Sequence, residues 1–252
     1  MKPFFSIGDF AFESYTVVTN LGALIGAATA YMILERTCER EKNYWKLIPT
    51  LLILMVITNP IAKIIKGAFG GILAGEATHF LGRVLITVFV LHFCMRFLWK
   101  DKKCISQAWN SIAAYFLVQH FFNRLACWLN GCCGGIYLEF CKNYFPSQLF
   151  EAVAVLITFF VLVRKIQRGD CFYEQSCMSY AVIIFLSEFF IEQTSVEKIW
   201  GFTSVQFAAV ILFLFSLINW LRQAQHQDVT LVNGEVSDNK YTGCSQKNLK
   251  RR

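Results

Sequence analysis

Charged residues are scarce in this sequence: aspartate, glutamate, lysine and arginine together make up 16% of its 252 residues. There is no internal repeat and no polar stretch long enough to form a separate soluble domain, which argues against a repeat array or a multidomain soluble protein. The first residues, MKPFFSIGDFAFESYT, also lack the apolar core followed by small residues that marks a cleavable signal peptide. We therefore expect the first apolar segment to be retained as an anchor.

Hydrophobic residues, in contrast, are abundant. They account for 56% of the chain, with 25 Phe and 6 Trp, a balance typical of integral membrane proteins. A helix needs about 20 apolar residues to span a bilayer, because each residue adds about 1.5 Å. The candidate spans are Tyr15–Leu34, Leu47–Ile65, Phe80–Trp99, Ile105–Leu129, Gln148–Val163, Cys177–Ile191 and Trp200–Leu221. We predict an all-α integral membrane protein with seven transmembrane helices.

Cationic residues alternate between the connections and so indicate the orientation. One set of connections, with the tail, is rich in them: Arg36, Arg40, Lys42, Lys46, Lys100, Lys102, Lys103, Arg164, Lys165, Arg168, Arg222, Lys240, Lys247, Lys250, Arg251 and Arg252. The opposite set carries only Lys2, Lys66, Lys142 and Lys198. This alternation predicts an amino terminus outside and a carboxyl terminus in the cytoplasm. It also supports the short sixth span, because the fifth connection and the tail share a side only if two crossings separate them.

The chain is accordingly predicted to have two parts. Residues 1–222 form the seven-helix transmembrane domain, and residues 223–252 form a polar, basic cytoplasmic tail that we expect to be disordered. The net charge of +7 reflects these topology signals. Its expected partner is the anionic inner leaflet, and we expect no nucleic acid.

The ten cysteines raise the question of disulfides and metal sites. Six of them map to spans or inward connections, where a reducing cytosol argues against disulfides: Cys38, Cys94, Cys104, Cys171, Cys177 and Cys244. Cys127, Cys132, Cys133 and Cys141 map to the outer side, and their pairing stays open. The adjacent Cys132 and Cys133 do not form a CxxC motif, and no paired histidine completes a zinc site, so we expect no metal.

Arg124 lies within a membrane-length apolar stretch, in the run HFFNRLACWLNGCCGG. An arginine in hydrocarbon costs from about 3 to more than 10 kcal/mol, so it normally faces a cavity and pairs with an anion. His120 and Cys127 share its helical face, four residues before it and three residues after it. Because a guanidinium binds phosphate bidentately, this pattern predicts a phosphate-headed lipid held at membrane depth. The alternative is an arginine satisfied by backbone carbonyls or extended to the interface.

Other groups map to the same outer level. Arg83 lies early in span three, and span four ends in Asn130-Gly131 and Gly134-Gly135. Glycines let the backbone approach a ligand and supply amide donors to an anion, and the alternative is an ordinary turn after a helix.

Carboxylate and amide side chains follow in the last three spans. Gln148 and Glu151 share one face at the start of span five, Glu188 lies in span six, and Gln206 lies in span seven. A carboxylate in lipid needs a cation. These glutamates therefore either take part in catalysis or neutralise the arginines and hold the bundle together.

With these motifs the chain resembles the prolipoprotein diacylglyceryl transferases of bacterial membranes. Residues 124–131, RLACWLNG, are similar to the family signature GRxGNFxNGE, and residues 146–151, PSQLFE, are similar to its PSQLYE. Weaker similarities are residues 13–15 with the arginine-x-tyrosine of span one, residues 188–190 with VEFFR, and residues 203–206 with SxGQ. The resemblance runs from Tyr15 to about Leu221, and the family has the topology predicted above.

The sequence also departs from the family pattern. The family's HGG appears as residues 81–83, LGR, although His79 is nearby, and Ile184 replaces an arginine before the span-six glutamate. In the signature, Cys127 replaces the first asparagine and Cys132 replaces the trailing glutamate. The chain is thus similar to a divergent branch of the family.

The resemblance implies transfer of a diacylglyceryl group from phosphatidylglycerol to the thiol of a lipobox cysteine in a prolipoprotein precursor, without a cofactor. It implies a multi-pass protein of the bacterial cell membrane with its site toward the outer leaflet. The partners implied are phosphatidylglycerol, prolipoprotein precursors and membrane lipid.

In that reaction the thiol must become a thiolate, and a phosphate must leave with its negative charge. Arg124 is expected to bind the headgroup and stabilise the leaving anion, and His120 or His79 is the expected base. The candidate catalytic residues are Arg124, His120, His79, Glu151 and Glu188. The candidate substrate-binding residues are Tyr15, Arg83, Asn130, Gly131, Gly135, Gln148 and Gln206.

Two alternatives stay open. One is a family paralogue that binds lipid or modifies another acceptor, for which Leu81 and Ile184 are the evidence. The other is a membrane thiol oxidoreductase that uses Cys132 and Cys133.

Overall fold

Long α-helices form the framework of the protein. A computed structural model describes residues 4–7, 10–37, 44–53, 102–131, 135–139, 142–166, 172–191 and 201–232, with several positions between 87 and 99. The long helices are α1 (Ser14–Thr37), α2 (Lys102–Asn130), α3 (Ser147–Ile166), α4 (Tyr173–Ser187) and α5 (Ser204–Val232). Short 3₁₀ segments lie at Tyr44–Lys46 and Glu188–Phe190, residues 47–53 are helical, and helical positions recur between 87 and 98.

The surface of these helices is the kind that lipid covers. α1 and the Val205–Arg222 part of α5 are long and apolar enough to cross a bilayer. A helix that faces water carries polar residues on its outer face. Here the exposed residues of the bundle include Leu21, Leu24, Ile157, Phe160, Ile211, Leu214 and Phe215. The helical membrane fold predicted from composition is consistent with this surface.

The predicted spans correspond to the helices wherever the chain is described. α1, α2, α3, α4 and α5 contain or overlap the first, fourth, fifth, sixth and seventh predicted spans. The second and third predicted spans lie partly outside the described residues, so the count of seven and the orientation stay predictions.

Two features differ from the predicted all-α fold. Strand β1 (Phe4–Ile7) pairs antiparallel with β2 (Phe10–Glu13) before α1, and β3 (Tyr137–Leu138) pairs with β4 (Asn143–Tyr144) between α2 and α3. Strands this short carry too little alternation to be recognised in a sequence. Helix α5 extends to Val232, beyond residue 222, and the division into a transmembrane domain and a tail stays a prediction.

Neighbouring helices run antiparallel. Gln119 Nε2 of α2 donates a hydrogen bond of 3.2 Å to the Thr19 carbonyl oxygen of α1. Tyr115, which lies earlier in α2, packs against Gly26, which lies later in α1. The carboxyl end of α2 therefore lies beside the amino end of α1.

The close approach of α1 and α2 depends on two glycines. A Cβ atom on Gly22 would lie 2.4 Å from Phe122 Cβ, and one on Gly26 would lie 3.0 Å from Tyr115 Cδ2. Small residues matter in membrane helix pairs because lipid provides no hydrophobic drive between helices, so that close packing must supply the attraction. This glycine face holds α2, which carries Arg124, against the bundle.

Side-chain hydrogen bonds fix the opposite end of α2. Asn110 Oδ1 accepts hydrogen bonds of 3.0 Å from the backbone N–H groups of Phe172 and Tyr173. These are donors at the start of α4 that lack a partner within the helix. Lys165 Nζ donates to Gln175 Oε1 at 3.0 Å and so joins α3 to α4. With both ends held, the polar residues of α2, α3 and α4 keep one register.

We predict that Gly22→Val separates α1 from α2 and destabilises the protein by about 1–3 kcal/mol, since overpacking forces side chains and backbone to shift. The measurement is the thermal unfolding midpoint of the purified protein in detergent. Ala28→Val adds similar bulk to an exposed position of the same helix and is the matched control. Equal midpoints for the two variants would contradict the packing role of Gly22.

Candidate functional site

The candidate residues gather at one end of the bundle. Because neighbouring helices are antiparallel, α1, α3 and α5 begin at the end where α2 and α4 finish. We call this the site end. Most polar residues that the sequence singled out belong to these terminal turns, so topology alone brings them to one level.

Glu151 is the centre of the site. Its side chain is 1% exposed, although it belongs to the first turns of α3, a helix that begins directly after Pro146. His120 Nε2 lies 2.6 Å from Glu151 Oε1, and Arg124 Nε lies 2.8 Å from the same oxygen. A buried carboxylate is tolerated only when it is paired, and here one oxygen atom receives both partners.

His120 and Arg124 reach Glu151 from a single face of α2. They are four residues apart, the spacing that predicted their shared face, and their side chains are 14% and 20% exposed. The Arg124 Nε–H is not aligned for a hydrogen bond, so the contact is an ion pair. The ion pair is made by Nε, and a guanidinium carries two further amino groups that can donate hydrogen bonds. Arg124 can therefore hold Glu151 and still present donors to a second anion.

Tyr180 of α4 completes a polar chain across three helices. Its Oη lies 3.1 Å from His120 Nδ1, and the two rings meet edge to face with centroids 5.1 Å apart. Sequence reasoning missed this residue. The available signal was a tyrosine directly before the apolar run 181–186 of α4, since a buried phenol hydroxyl needs a partner.

The two glutamates singled out by the sequence have different positions. Glu188 opens the 3₁₀ segment after α4 and is partly exposed, whereas Glu151 is enclosed. Ile184, at the position where the resemblance expects an arginine, is 2% exposed and belongs to the core. The carboxylate that Arg124 pairs with is thus Glu151.

Two candidate binding glutamines are both buried. Gln206 Oε1 accepts a 2.9 Å hydrogen bond from the Thr203 N–H, and the Gln206 N–H donates to Thr203 Oγ1 at 3.2 Å. This reciprocal pair is a capping box at the start of α5, so it gives Gln206 a structural role that the sequence reasoning did not assign. Gln148 is 7% exposed and lies in the same helix as Glu151.

Backbone geometry explains why glycine occurs at two positions after α2. Gly131 has a φ of +72° and its N–H donates to the Trp128 carbonyl at 3.3 Å, so it ends the helix as the simple turn reading expected. A Cβ on Gly135 would lie 1.7 Å from the Phe145 carbonyl oxygen, which makes glycine necessary for this strand contact. Asn130 is the last residue of α2, and Tyr15 lies in the first turn of α1 at the same end.

Several predicted positions fall outside the described residues: His79, Arg83, Cys132, Cys133, Gly134 and Cys141. The thiol oxidoreductase reading, which depends on Cys132 and Cys133, therefore gains no support from the geometry. Within the described ranges, Cys94, Cys127 and Cys177 form no disulfide, and no group of three potential metal ligands occurs.

An apolar groove opens between α1, α2 and α3 next to the polar chain. Its volume is about 150 Å³, and its lining includes Ile25, Leu117, Phe121 and Leu156. Phe121 follows His120 directly in α2. The groove therefore gives the bundle an apolar surface that includes the neighbour of His120 in α2.

Fold and site together define a helical membrane protein with an ionic centre buried at one end of its bundle. The chain belongs to the prolipoprotein diacylglyceryl transferase family, whose model matches residues 2–222. The family consists of membrane enzymes of lipoprotein biosynthesis that transfer a diacylglyceryl group to prolipoproteins. No curated protein matches the chain significantly.

We predict that Glu151→Leu destabilises the protein by about 3 kcal/mol, because it leaves a largely buried cation without its partner. The value is at the lower end of the usual range since Arg124 is 20% exposed. The double variant Arg124→Leu/Glu151→Leu removes both charges and should recover most of this loss. Thermal unfolding in detergent measures the stability of Glu151→Leu, of Arg124→Leu and of the double variant. Losses that simply add in the double variant would show that the two side chains do not depend on each other.

Proposed function

We propose that this protein transfers a diacylglyceryl group from phosphatidylglycerol to the cysteine thiol of a prolipoprotein lipobox. The observation that carries the proposal is the Arg124–Glu151–His120 cluster, built on the arginine and the glutamate of the two best-matched family motifs. The reaction needs an anion-binding group, a proton acceptor and room for acyl chains. The site end offers all three within neighbouring turns of helix.

Arg124 binds the phosphate of the donor lipid. Its ion pair with Glu151 fixes the position of the guanidinium, and its side chain is 20% exposed, so that a headgroup can approach it. A preorganised cation stabilises negative charge most strongly where water is excluded. As the bond to the glyceryl carbon breaks, the charge that develops on the leaving glycerol phosphate forms beside this cation.

The groove between α1, α2 and α3 holds part of one acyl chain, since its volume of about 150 Å³ is smaller than a whole chain. Its lining is apolar, and it opens beside the turn of α2 that carries His120. An acyl chain in this groove would leave the headgroup at the level of Arg124. The donor thus binds with its two chemically different ends on two different surfaces.

His120 is the proton acceptor of the described site. Histidine titrates nearest to neutral pH and is therefore suited to acid–base catalysis. Glu151 orients the ring through Nε2 and stabilises the imidazolium that forms when the ring takes a proton. His79 and Arg83 remain predicted contributors from outside the described residues.

The remaining predictions concern the topology of the protein and the side of the membrane that its site faces. We propose seven spans, an external amino terminus, a cytoplasmic tail and a site open to the outer leaflet of the bacterial cell membrane. The cationic connections support this orientation. Prolipoproteins reach that leaflet once their signal segment has entered the membrane.

A second candidate function is a lipid-binding paralogue, or one that modifies another acceptor. Ile184 favours it, since a buried apolar residue stands where the resemblance expects a second arginine. In that case phospholipid binding persists without transfer to a lipobox peptide.

We predict that Arg124→Ala abolishes diacylglyceryl transfer while the protein still inserts into the membrane. Arg124→Lys keeps a cation beside Glu151 but loses the bidentate geometry, and a loss of about 100-fold is expected for such a transition-state contact. The measurement is transfer from phosphatidylglycerol to a synthetic lipobox peptide, followed by mass spectrometry.

Complementation of a bacterial strain depleted of its own transferase tests the same variants in cells. Arg36→Ala, which removes an exposed arginine from the far end of α1, is the matched control. Normal transfer by the Arg124 variants would overturn the role of this residue. Absence of transfer by the inserted wild type, with phospholipid still bound, would favour the paralogue.

A further inference from the structure

A second polar group lies on the face of α2 next to that of His120 and Arg124. Gln119 and Asn123 each stand one residue earlier in the helix, four residues apart, so their side chains share a face. Gln119 Nε2 donates hydrogen bonds to the Thr19 carbonyl oxygen of α1 at 3.2 Å and to Asn123 Oδ1 at 3.0 Å. Both N–H groups of this amide are therefore used, and one of them holds Asn123.

Stability alone does not explain this polar group. In the described part of the chain, Gln119 Oε1 and Thr19 Oγ1 are enclosed and have no hydrogen-bond partner. A polar atom buried without a partner costs free energy, and apolar side chains would join α1 to α2 without that cost. What the arrangement does achieve is a fixed orientation of the Asn123 amide.

That orientation determines what Asn123 offers to a ligand. An asparagine amide has one acceptor oxygen and two N–H donors. Gln119 binds the oxygen, so the amide nitrogen is the end directed away from Gln119. Asn123 is partly exposed and directly precedes Arg124 in the chain. A ligand held by the guanidinium can therefore approach the asparagine as well.

We propose that Asn123 donates a hydrogen bond to an ester carbonyl of the diacylglyceryl group, an inference that rests on the proposed function. Helix α2 runs toward the site end, so Gln119 lies one turn nearer to the middle of the bundle and draws the Asn123 amide in that direction. A phospholipid whose phosphate binds Arg124 has its ester carbonyls a few bonds nearer to the bilayer centre than the phosphate. A carbonyl oxygen only accepts hydrogen bonds, and the amide N–H is a donor.

This contact makes the protein select ester-linked over ether-linked chains. An alkyl ether lacks the carbonyl oxygen, so the Asn123 N–H loses its partner when such a lipid binds. The family signature has a glycine before its arginine, at the position of Asn123, so the transfer itself does not require an amide there. Asn123 is thus a specificity-determining residue, and Gln119 is the residue that positions it.

The test compares two donors in detergent micelles: phosphatidylglycerol with ester-linked chains, and its analogue with ether-linked chains of the same length. Transfer to a lipobox peptide is followed by mass spectrometry, and kcat/KM is measured for each donor. We expect the wild type to prefer the ester by about fivefold, the contribution of one neutral hydrogen bond. Asn123→Leu should bring the two donors to within about twofold of each other, because only the ester rate depends on this contact.

A positioning variant and a matched control accompany this comparison. Gln119→Leu keeps the asparagine but releases its amide, so it should lower the ester preference as well. Asn20→Leu removes an exposed amide of α1 and is the matched control, in which the preference should persist. Should Asn123→Leu prevent insertion, Asn123→Gly introduces the residue of the family signature and should show the same loss of preference.

The outcomes separate the two proposals. Equal kcat/KM values of the wild type for both donors would overturn the ester contact alone, and so would a preference that persists in the Asn123 variants. A preference that persists in Gln119→Leu would overturn the positioning role of Gln119. Absence of transfer by the wild type from either donor would overturn the proposed function and this inference together.

Discussion

A carboxylate sealed inside a membrane bundle is the constraint that orders this structure. Glu151 is stable there only while His120 and Arg124 remain within reach, since an unpaired buried charge costs several kcal/mol. Both partners belong to α2 and Glu151 belongs to α3, so the ionic contact fixes the register of these two helices. Tyr180 extends the chain to α4. Loss of this register would therefore leave a buried polar or charged group without its partner at each of these contacts.

The remainder of the bundle maintains that register from both sides. Gly22 and Gly26 bring α1 against one face of α2, and Asn110 caps the start of α4 from the other end of α2. At the site end, Gly135 allows the backbone before β3 to approach the Phe145 carbonyl, shortly before α3 begins. These contacts touch no substrate in the proposed reaction, yet they determine where its functional groups meet.

Two departures from the family resemblance replace a polar residue by an apolar one. The family resemblance expects a histidine before Arg83 and an arginine at Ile184, and the chain has neither. It instead carries His120 one helical turn before the signature arginine, bound to the glutamate of the PSQL motif. A base supplied from α2 would allow the proposed transfer in a chain that has an apolar residue at position 184 of α4, where the resemblance expects an arginine. The shared requirement is an anion site next to a proton acceptor, and more than one helix face can satisfy it.

The sequence by itself determined the helices and the faces of each helix. Apolar runs of bilayer length located α1 and α5, and helical spacing placed His120 with Arg124 and Gln148 with Glu151. It could not decide whether Glu151 or Glu188 pairs with Arg124, nor find Tyr180, nor recognise that Gln206 caps α5. Those outcomes depend on rotation and register between helices. Side-chain periodicity orients the residues within one helix, but it does not determine how the neighbouring helix is rotated against it. Packing in the tertiary structure decides which helix faces meet, and therefore which charged residues pair.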